Sequence, residues 1–177
     1  MGIRTGMGDS GFAELLFQRR ISKDSPEMHA MGDLDELNSF LGLVKAKLRT
    51  RKKKDVIERV QRAIYTIASE IALGHEKTEQ HGLLLGDKDT DWLEGLIYEL
   101  ERKTDIKSYF YLPGDNEISA LTDIARSVAR RAERSVVILC RKKKLDNRNI
   151  LSYLNGISDL LYIMARKRSR RKKGRVK

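Results

Sequence analysis

Five long segments of this chain repeat apolar residues every three or four positions, which is the spacing of one face of an α-helix. Breaks in such helices should be few, because the 177 residues include only two prolines. One proline, in Ser25-Pro26, stands where a helix is expected to start. The spacing predicts an all-α protein, a five-helix bundle, with helices over 26–48, 54–73, 90–103, 117–141 and from 149 into the C-terminal residues.

Positive charge is concentrated at the C-terminal end of the chain. Residues 166–177 contain nine Lys and Arg and no acid, whereas the preceding residues contain 27 basic and 25 acidic residues. We therefore expect one helical domain over 1–165, followed by a basic, disordered tail over 166–177 that contacts polyanions without specificity. Two smaller basic clusters, 51–54 and 141–144, are expected to be exposed connections.

Several kinds of protein are disfavoured by the composition. No apolar run is long enough to cross a bilayer and the N-terminus has no apolar signal region, so a cytoplasmic location is expected. The three histidines are scattered and Cys140 is the single cysteine, so we predict neither a metal-ligand cluster nor a disulfide, and we expect Cys140 to be a buried thiol. The Gly-rich segment 6–11 lacks the Gly-Lys-Ser/Thr ending of a P-loop, but Gly-rich loops also present backbone N–H groups to phosphates.

The fourth predicted helix combines an apolar stripe with arginines. Arg126, Arg130, Glu133 and Arg134 recur at i, i+4 and i+7/i+8, so they share one helical face. Guanidinium groups bind phosphate and carboxylate oxygens in a bidentate geometry. This pattern is typical either of a solvated surface or of an anion-binding surface, and the spacing alone leaves both open.

Two other helices carry polar residues beside their apolar stripes. Asp35, Asn38 and Ser39 share a strip in the first helix, and Asn155 and Asp159 lie one turn apart in the last. Such strips are typical either of polar side chains that hydrogen-bond to one another within the fold or of a binding site. Gly156 interrupts the last helix, where glycine costs about 1 kcal/mol relative to alanine, which indicates close packing or weak constraint there.

Several short motifs follow one another in a fixed order along the chain. They are Gly8-Asp9-Ser10-Gly11-Phe12, Arg20-Ile21-Ser22-Lys23-Asp24, Asp35-Glu36-Leu37-Asn38-Ser39, Phe110-Tyr111-Leu112-Pro113-Gly114, Arg130-Arg131-Ala132-Glu133-Arg134, and Tyr153-Leu154-Asn155 with Ser158-Asp159-Leu160-Leu161. In this combination the chain closely resembles the PduO-type ATP:cob(I)alamin adenosyltransferases, over about residues 3–166.

The resemblance implies a fold, an assembly and an activity. The fold is a five-helix bundle with a Gly-rich N-terminal loop, and the assembly is a homotrimer with active sites between subunits. The activity is transfer of the 5′-deoxyadenosyl group of ATP to cob(I)alamin, with release of triphosphate. ATP, Mg²⁺ and cobalamin are therefore the implied ligands, and a reductase or a B12-dependent mutase is an implied partner.

The resemblance also assigns roles to individual residues. Glu133 is placed to help hold Mg²⁺. Asp35 and Arg126 match an aspartate–arginine pair that bridges subunits beside the corrin. Phe110 matches an aromatic residue that packs on the lower face of the corrin and excludes the lower axial ligand. Nucleotide binding or a place close to the nucleotide is assigned to Thr5, Gly6, Met7, Gly8, Asp9, Gly11, Lys23, Arg130, Arg131, Glu133, Arg134, Asn155 and Asp159.

The first loop departs from the family pattern. Met7 stands where the family usually has threonine, and Ala13, followed by Glu14, replaces a serine or threonine. Two hydroxyls near the phosphates are thus missing. The departures favour an alternative hypothesis, a non-catalytic homologue that binds ATP or carries a corrinoid. A third hypothesis, a nucleic-acid-binding bundle driven by the basic tail, predicts steeply salt-dependent binding.

Overall fold

The computed structural model describes residues 6, 8–15, 19–73, 78, 80, 82, 84–106, 110–142 and 144–166. Thr5, Met7 and most of the predicted tail, 167–177, lie outside the described residues. Within them the predicted bundle is confirmed. Its five long helices are α1 (Pro26–Lys47), α2 (Arg51–Leu73), α3 (Asp87–Arg102), α4 (Glu117–Arg141) and α5 (Arg148–Arg166).

Local signals explain where the helices begin. Ser25 caps α1, because its side-chain oxygen accepts a hydrogen bond from the Met28 backbone N–H at 3.3 Å. Asn116 caps α4 in the same way, accepting from the Ser119 backbone N–H at 3.0 Å. Satisfying these otherwise unpaired amides fixes the first turn of each helix.

The basic cluster 51–54 is not a connection, as the sequence suggested, but the first turn of α2. Its side chains are exposed or half-buried, so the expected exposure is largely correct and the expected irregular backbone is wrong. Arg51 pairs with Asp55 one turn later, with Nε 2.7 Å from Oδ1. Such i, i+4 pairs favour helix at positions where no apolar contact is available.

A short hairpin precedes the bundle and was not predicted. Strands β1 (Phe12–Leu15) and β2 (Arg19–Ser22) pair in antiparallel fashion, with Phe12 opposite Ser22 and Glu14 opposite Arg20. The Arg20 guanidinium carbon lies 4.5 Å from the centre of the Phe12 ring, a stabilising cation–π contact. Four residues per strand are too few for a reliable alternating pattern in the sequence.

The core lies among the helices. α1 packs against α2 and α4, α4 also packs against α5, and α5 packs against α3. The apolar stripes of α1 and α5 are buried or half-buried, and this burial is the main stabilising contribution of such stripes. Fully buried examples are Leu34, Leu37, Leu41, Val44, Ile157 and Leu161.

The single cysteine, Cys140, is half-buried rather than fully buried. Burial raises the pKa of its thiol.

None of the helices in the described ranges combines the length and apolar character needed to span a membrane.

Gly156 marks a close approach of α5 to α3. A Cβ atom built on this glycine would lie 2.9 Å from Cδ2 of Leu93 and 3.5 Å from Cδ1 of Ile97. Close packing is therefore the reason for glycine inside this helix, and one of the two explanations that the sequence left open is supported.

We expect Gly156→Leu to lower the free energy of unfolding by about 1–3 kcal/mol, because the new side chain overpacks the α3–α5 contact. The matched control is Gly95→Ala on α3, where an added Cβ meets nothing within 4 Å. That variant should gain about 0.5–1 kcal/mol from helix propensity. Urea denaturation of both variants measures the difference, and equal stabilities would contradict the packing explanation.

Candidate active site

Neighbouring arginines on α4 point toward different helices. Successive residues of an α-helix are turned by about 100°, so Arg130 and Arg131 leave the helix in different directions. Arg131 reaches α1, whereas Arg130 acts electrostatically on Asp159 of α5. The nucleotide-binding residues predicted from one motif are thereby divided between two sides of the helix.

Arg131 joins α4 to α1 through two carboxylates. Its Nε donates to Oδ1 of Asp33 at 2.9 Å, and its Nη2 donates to Glu36. Ser135, one turn later, donates to the other oxygen of Asp33. The sequence analysis missed Asp33 and Glu36, although their i, i+3 spacing matches that of two residues one turn apart on a facing helix. The predicted contact of Arg131 with nucleotide stays a prediction.

On α5, Asn155 and Asp159 are two of the predicted site residues. Asn155 and Asp159 lie one turn apart on an exposed part of α5. Desolvation raises the pKa of the Asp159 carboxyl; the Arg130 charge opposes this shift and Glu101 adds to it. The charge of Arg130 is thus felt at Asp159 across the α4–α5 contact, and the predicted roles of both residues at the nucleotide stay predictions.

We expect Asp159→Asn to raise the melting temperature at pH 7. Because the folded-state pKa of Asp159 lies above its unfolded value, the stabilisation belongs to the protonated form and is lost as the pH rises through the folded pKa. An amide at this position avoids that loss, so the difference from the wild type should shrink as the pH falls from 7 toward about 4. Thermal unfolding over this pH range measures it.

Asp91→Asn, at an exposed position of α3, is the matched control and should show no such pH-dependent gain. A lower melting temperature of Asp159→Asn at neutral pH would show that the carboxylate is favourably paired in the fold.

A groove of about 540 Å³ runs along another face of α4 beside the preceding loop. Its helical lining residues recur every three or four positions, which places most of them on one face. The groove is lined by Pro113, Gly114, Ala120, Asp123, Ile124, Arg126, Ser127, Val128, Arg131 and Arg134. Three arginines that were predicted as site residues, Arg126, Arg131 and Arg134, therefore line this groove. Arg130 and Glu133 are not among its lining residues.

Arg126 has a partner on its own helix. Its Nε lies 3.3 Å from Oδ1 of Asp123, which also forms a buried ion pair with Arg166. Asp35 is exposed on α1. The predicted pairing of Asp35 with Arg126 of a neighbouring subunit stays a prediction, because it concerns two chains.

Asp123 and Arg166 were missed by the sequence analysis. Both Asp123 oxygens accept hydrogen bonds from Nη2 of Arg166, and both side chains are only 5% exposed. The sequence placed Arg166 at the start of the basic tail, but it is the last residue of α5. The sequence carries no signal that this arginine is buried.

Lys23 contacts the N-terminal loop through both its side chain and its backbone. The Lys23 ammonium donates to the Gly8 carbonyl at 2.7 Å, and its backbone N–H donates to the Gly11 carbonyl at 2.9 Å. Gly11 has a φ of +79°, a conformation that glycine adopts without steric strain. Gly8 and Gly11 are thus held against Lys23, and within the loop the Asp9 backbone N–H donates to the Gly6 carbonyl at 3.2 Å.

Phe110 lies in a segment that leads into α4. It is 85% exposed, and Leu112 in the same segment is 60% exposed. Gly114 ends the segment with a φ of +105°, beside the groove. Large exposed apolar side chains next to a groove are typical of ligand or subunit contacts.

The predicted Mg²⁺ ligand, Glu133, is half-buried on α4. Within the part of the chain that the structure describes, no three His, Cys, Asp or Glu side chains are grouped so that they could hold a metal ion. Mg²⁺ commonly takes one or two carboxylates, with substrate phosphates and water completing its shell. A single carboxylate therefore fits Mg²⁺ bound together with a triphosphate, and does not fit a cage made by the protein alone.

The fold is closely similar to solved adenosyltransferases. A variant of a PduO-type ATP:corrinoid adenosyltransferase from Lactobacillus reuteri, complexed with cobalamin and ATP, superimposes with a TM-score of 0.85 at 28% identity, covering 94% of this chain and 92% of that one. A second variant of that enzyme, complexed with ATP, gives a TM-score of 0.82 at 28% identity, covering 93% and 92% of the two chains.

Sequence comparison leads to the same family. The corrinoid adenosyltransferase PduO of Salmonella typhimurium is 31% identical over 94% of this chain, and the cobalamin adenosyltransferase of Cupriavidus metallidurans is 36% identical over 93% of it. The chain covers 86% of the Cupriavidus protein but only 49% of the Salmonella one, so it spans about half the length of that relative. The sequence profile described as cobalamin adenosyltransferase matches residues 3–168. The chain therefore belongs to the cobalamin adenosyltransferase family.

Proposed function

We propose that this chain transfers the 5′-deoxyadenosyl group of ATP to cob(I)alamin, giving adenosylcobalamin and triphosphate. The observation that carries the proposal is the fold match over 94% of the chain to an enzyme complexed with both cobalamin and ATP. Relatives from bacteria to mammals bear the name corrinoid or cobalamin adenosyltransferase. The arginines of α4 are groups of the kind that bind anions, which such a reaction needs.

The reaction needs positioning and charge stabilisation more than acid–base chemistry. The electron pair of cobalt(I) forms the bond to C5′ while the C5′–O bond breaks, and the electrons of that bond leave with triphosphate. The nucleophile is the metal of the substrate, so no general base is required. The protein must align C5′ with cobalt and stabilise the charge that develops on the leaving group.

The groups available for these tasks follow from the site. We propose that Arg130, Arg134, Asn155 and Lys23 hold the nucleotide, together with the backbone of the 6–11 loop. Arg131, whose guanidinium also pairs with Asp33 and Glu36 and so joins α1 to α4, is proposed to contact the nucleotide as well. Glu133 would hold Mg²⁺ on the triphosphate, where the ion neutralises negative charge on the leaving group.

We propose that the active unit is a homotrimer with sites between subunits. The exposed Asp35 and the groove-lining Arg126 support this assembly, because each is accessible to a neighbouring chain. Phe110 would face the lower side of the corrin, which suits its almost complete exposure. The cytoplasmic location and the reductase or B12-dependent mutase partner remain predictions.

A cob(I)alamin adenosylation assay tests the proposal. The protein is incubated with ATP, Mg²⁺ and chemically reduced cobalamin, and adenosylcobalamin is followed by absorption while triphosphate is quantified. We expect equal amounts of the two products. Omitting ATP is the control, and an active preparation of a family member shows that the assay detects turnover.

A carrier is the competing hypothesis, favoured by Met7 and by Ala13 in the first strand, where two hydroxyls of the family pattern are missing. Glu14 is exposed and lies opposite Arg20 in the hairpin, so its negative charge has a basic neighbour across the strands. A single-turnover experiment separates the hypotheses. A carrier would bind ATP and cobalamin without releasing triphosphate, and that outcome would refute the transferase assignment.

A further inference from the structure

Tyr111 attaches the Phe110–Gly114 segment to the end of α5. Its ring meets the ring of Tyr162 edge to face, with centroids 6.5 Å apart and an interplanar angle of 80°. The guanidinium carbon of Arg166 lies 5.0 Å from the Tyr111 centroid and 5.1 Å from that of Tyr162. Arg166 therefore makes cation–π contacts with both rings.

The arginine in this cluster is held in place by α4. Arg166 donates to both oxygens of Asp123, and neither side chain of this pair is more than 5% exposed. A buried guanidinium paired in this way has little freedom to turn, because any other orientation leaves charge unpaired in a desolvated site. Asp123 also lines the groove beside Pro113 and Gly114. The anchor of Tyr111 is thus tied to the helix that carries the nucleotide-binding arginines.

The side chains of the segment alternate in exposure. Tyr111 is half-buried, whereas Phe110 and Leu112 on either side of it are 85% and 60% exposed. The Tyr111 ring is thus packed on the end of α5 while the neighbouring Phe110 ring is left exposed to a ligand.

We propose that Tyr111, held by Arg166 and Asp123, is the positioning residue that sets Phe110 against the corrin. The inference rests on the proposed function. A phenylalanine on a freely moving segment would have to be ordered whenever cobalamin binds, and it would exclude the lower axial ligand only part of the time. The buried ion pair prepares this ordering in the folded chain.

The test is Tyr111→Leu, which keeps an apolar side chain and removes the ring. The readout is the fraction of bound cob(II)alamin in the four-coordinate state in the presence of ATP and Mg²⁺, measured by electron paramagnetic resonance. We expect this fraction to fall about tenfold, since small displacements of a positioning group have large effects. ATP affinity should remain at the wild-type value.

Three further variants make the result specific. Tyr111→Phe retains the ring and should preserve the four-coordinate fraction. Arg166→Lys keeps a positive charge near Asp123 but loses the planar group, so it should reproduce the loss of Tyr111→Leu. Tyr98→Leu on α3 is the matched control, because Tyr98 also has an arginine near its ring, with Arg102 at 5.6 Å, but is 63% exposed and lies on another helix. This control should behave as wild type.

The outcomes separate this inference from the proposed function. A wild-type protein that forms no adenosylcobalamin refutes the proposed function. An active wild type with an unchanged four-coordinate fraction in Tyr111→Leu overturns the positioning role alone. An equal decrease in ATP affinity and in the four-coordinate fraction also overturns it, because that result would indicate general damage to the fold.

Discussion

Arg130→Ala is expected to lower kcat/KM for ATP by about 100- to 1,000-fold, the usual effect of removing one group that stabilises developing negative charge. The positive charge of Arg130 on α4 counters the effect of desolvation on the pKa of the Asp159 carboxyl on α5. It is exposed and hence available to a triphosphate. Steady-state adenosylation with varied ATP and saturating cob(I)alamin measures the loss.

The matched control is Arg141→Ala. Arg141 is exposed on the same helix and lies about 16 Å further along its axis, so its loss removes an equal charge away from the site. Turnover of Arg141→Ala should equal that of the wild type. Wild-type turnover in Arg130→Ala would remove this arginine from the site, whereas equal losses in both variants would indicate an effect of net charge.

Arg166→Met is expected to lower the free energy of unfolding by about 3 kcal/mol, the lower end of the range for breaking a buried ion pair. The substitution leaves the buried Asp123 carboxylate without its main partner. Arg126 remains, with its Nε 3.3 Å from Oδ1 of Asp123, and limits the loss. Urea denaturation followed by circular dichroism measures the change.

Two variants define the origin of this effect. Asp55→Asn breaks the ion pair with Arg51, in which the Asp55 side chain is 52% exposed and the Arg51 side chain is 87% exposed. This variant should change the free energy of unfolding by less than about 0.5 kcal/mol. Asp123→Asn combined with Arg166→Met removes both charges and should recover part of the loss. A decrease below about 1 kcal/mol in Arg166→Met would mean that the carboxylate is paired or solvated without the arginine.

Helix boundaries were predictable where a local chemical signal marks them. Ser25-Pro26 predicted the start of α1, and both ends of α4 agree with the prediction of 117–141. The start of α2 was missed by three residues, because lysines and arginines carry no apolar periodicity. The hairpin was missed because its strands are too short to show an alternating pattern. The pairing between two strands also leaves no periodic signal of the kind that marks a helix.

The candidate site was predictable as a set of residues but not as an arrangement. The arginine motif was identified, yet only the packed helices show that Arg131 binds Asp33 and Glu36 while Arg130 lies near Asp159. Arg166 looked like the first residue of a charged tail. Arg166 and Asp123 are 43 residues apart in the chain. Their burial against each other therefore depends on how α4 and α5 pack.

The sequence by itself determined the helices, the apolar stripes and the family, because helical periodicity, capping residues and ordered motifs are all local properties of the chain. Only the tertiary structure decided which neighbour each charged side chain meets. Adjacent helical positions differ by about 100°, so small changes in helix packing direct two consecutive arginines to different partners. The same packing turns Asp123 and Arg166 into a buried pair and anchors Tyr111 beside an exposed Phe110.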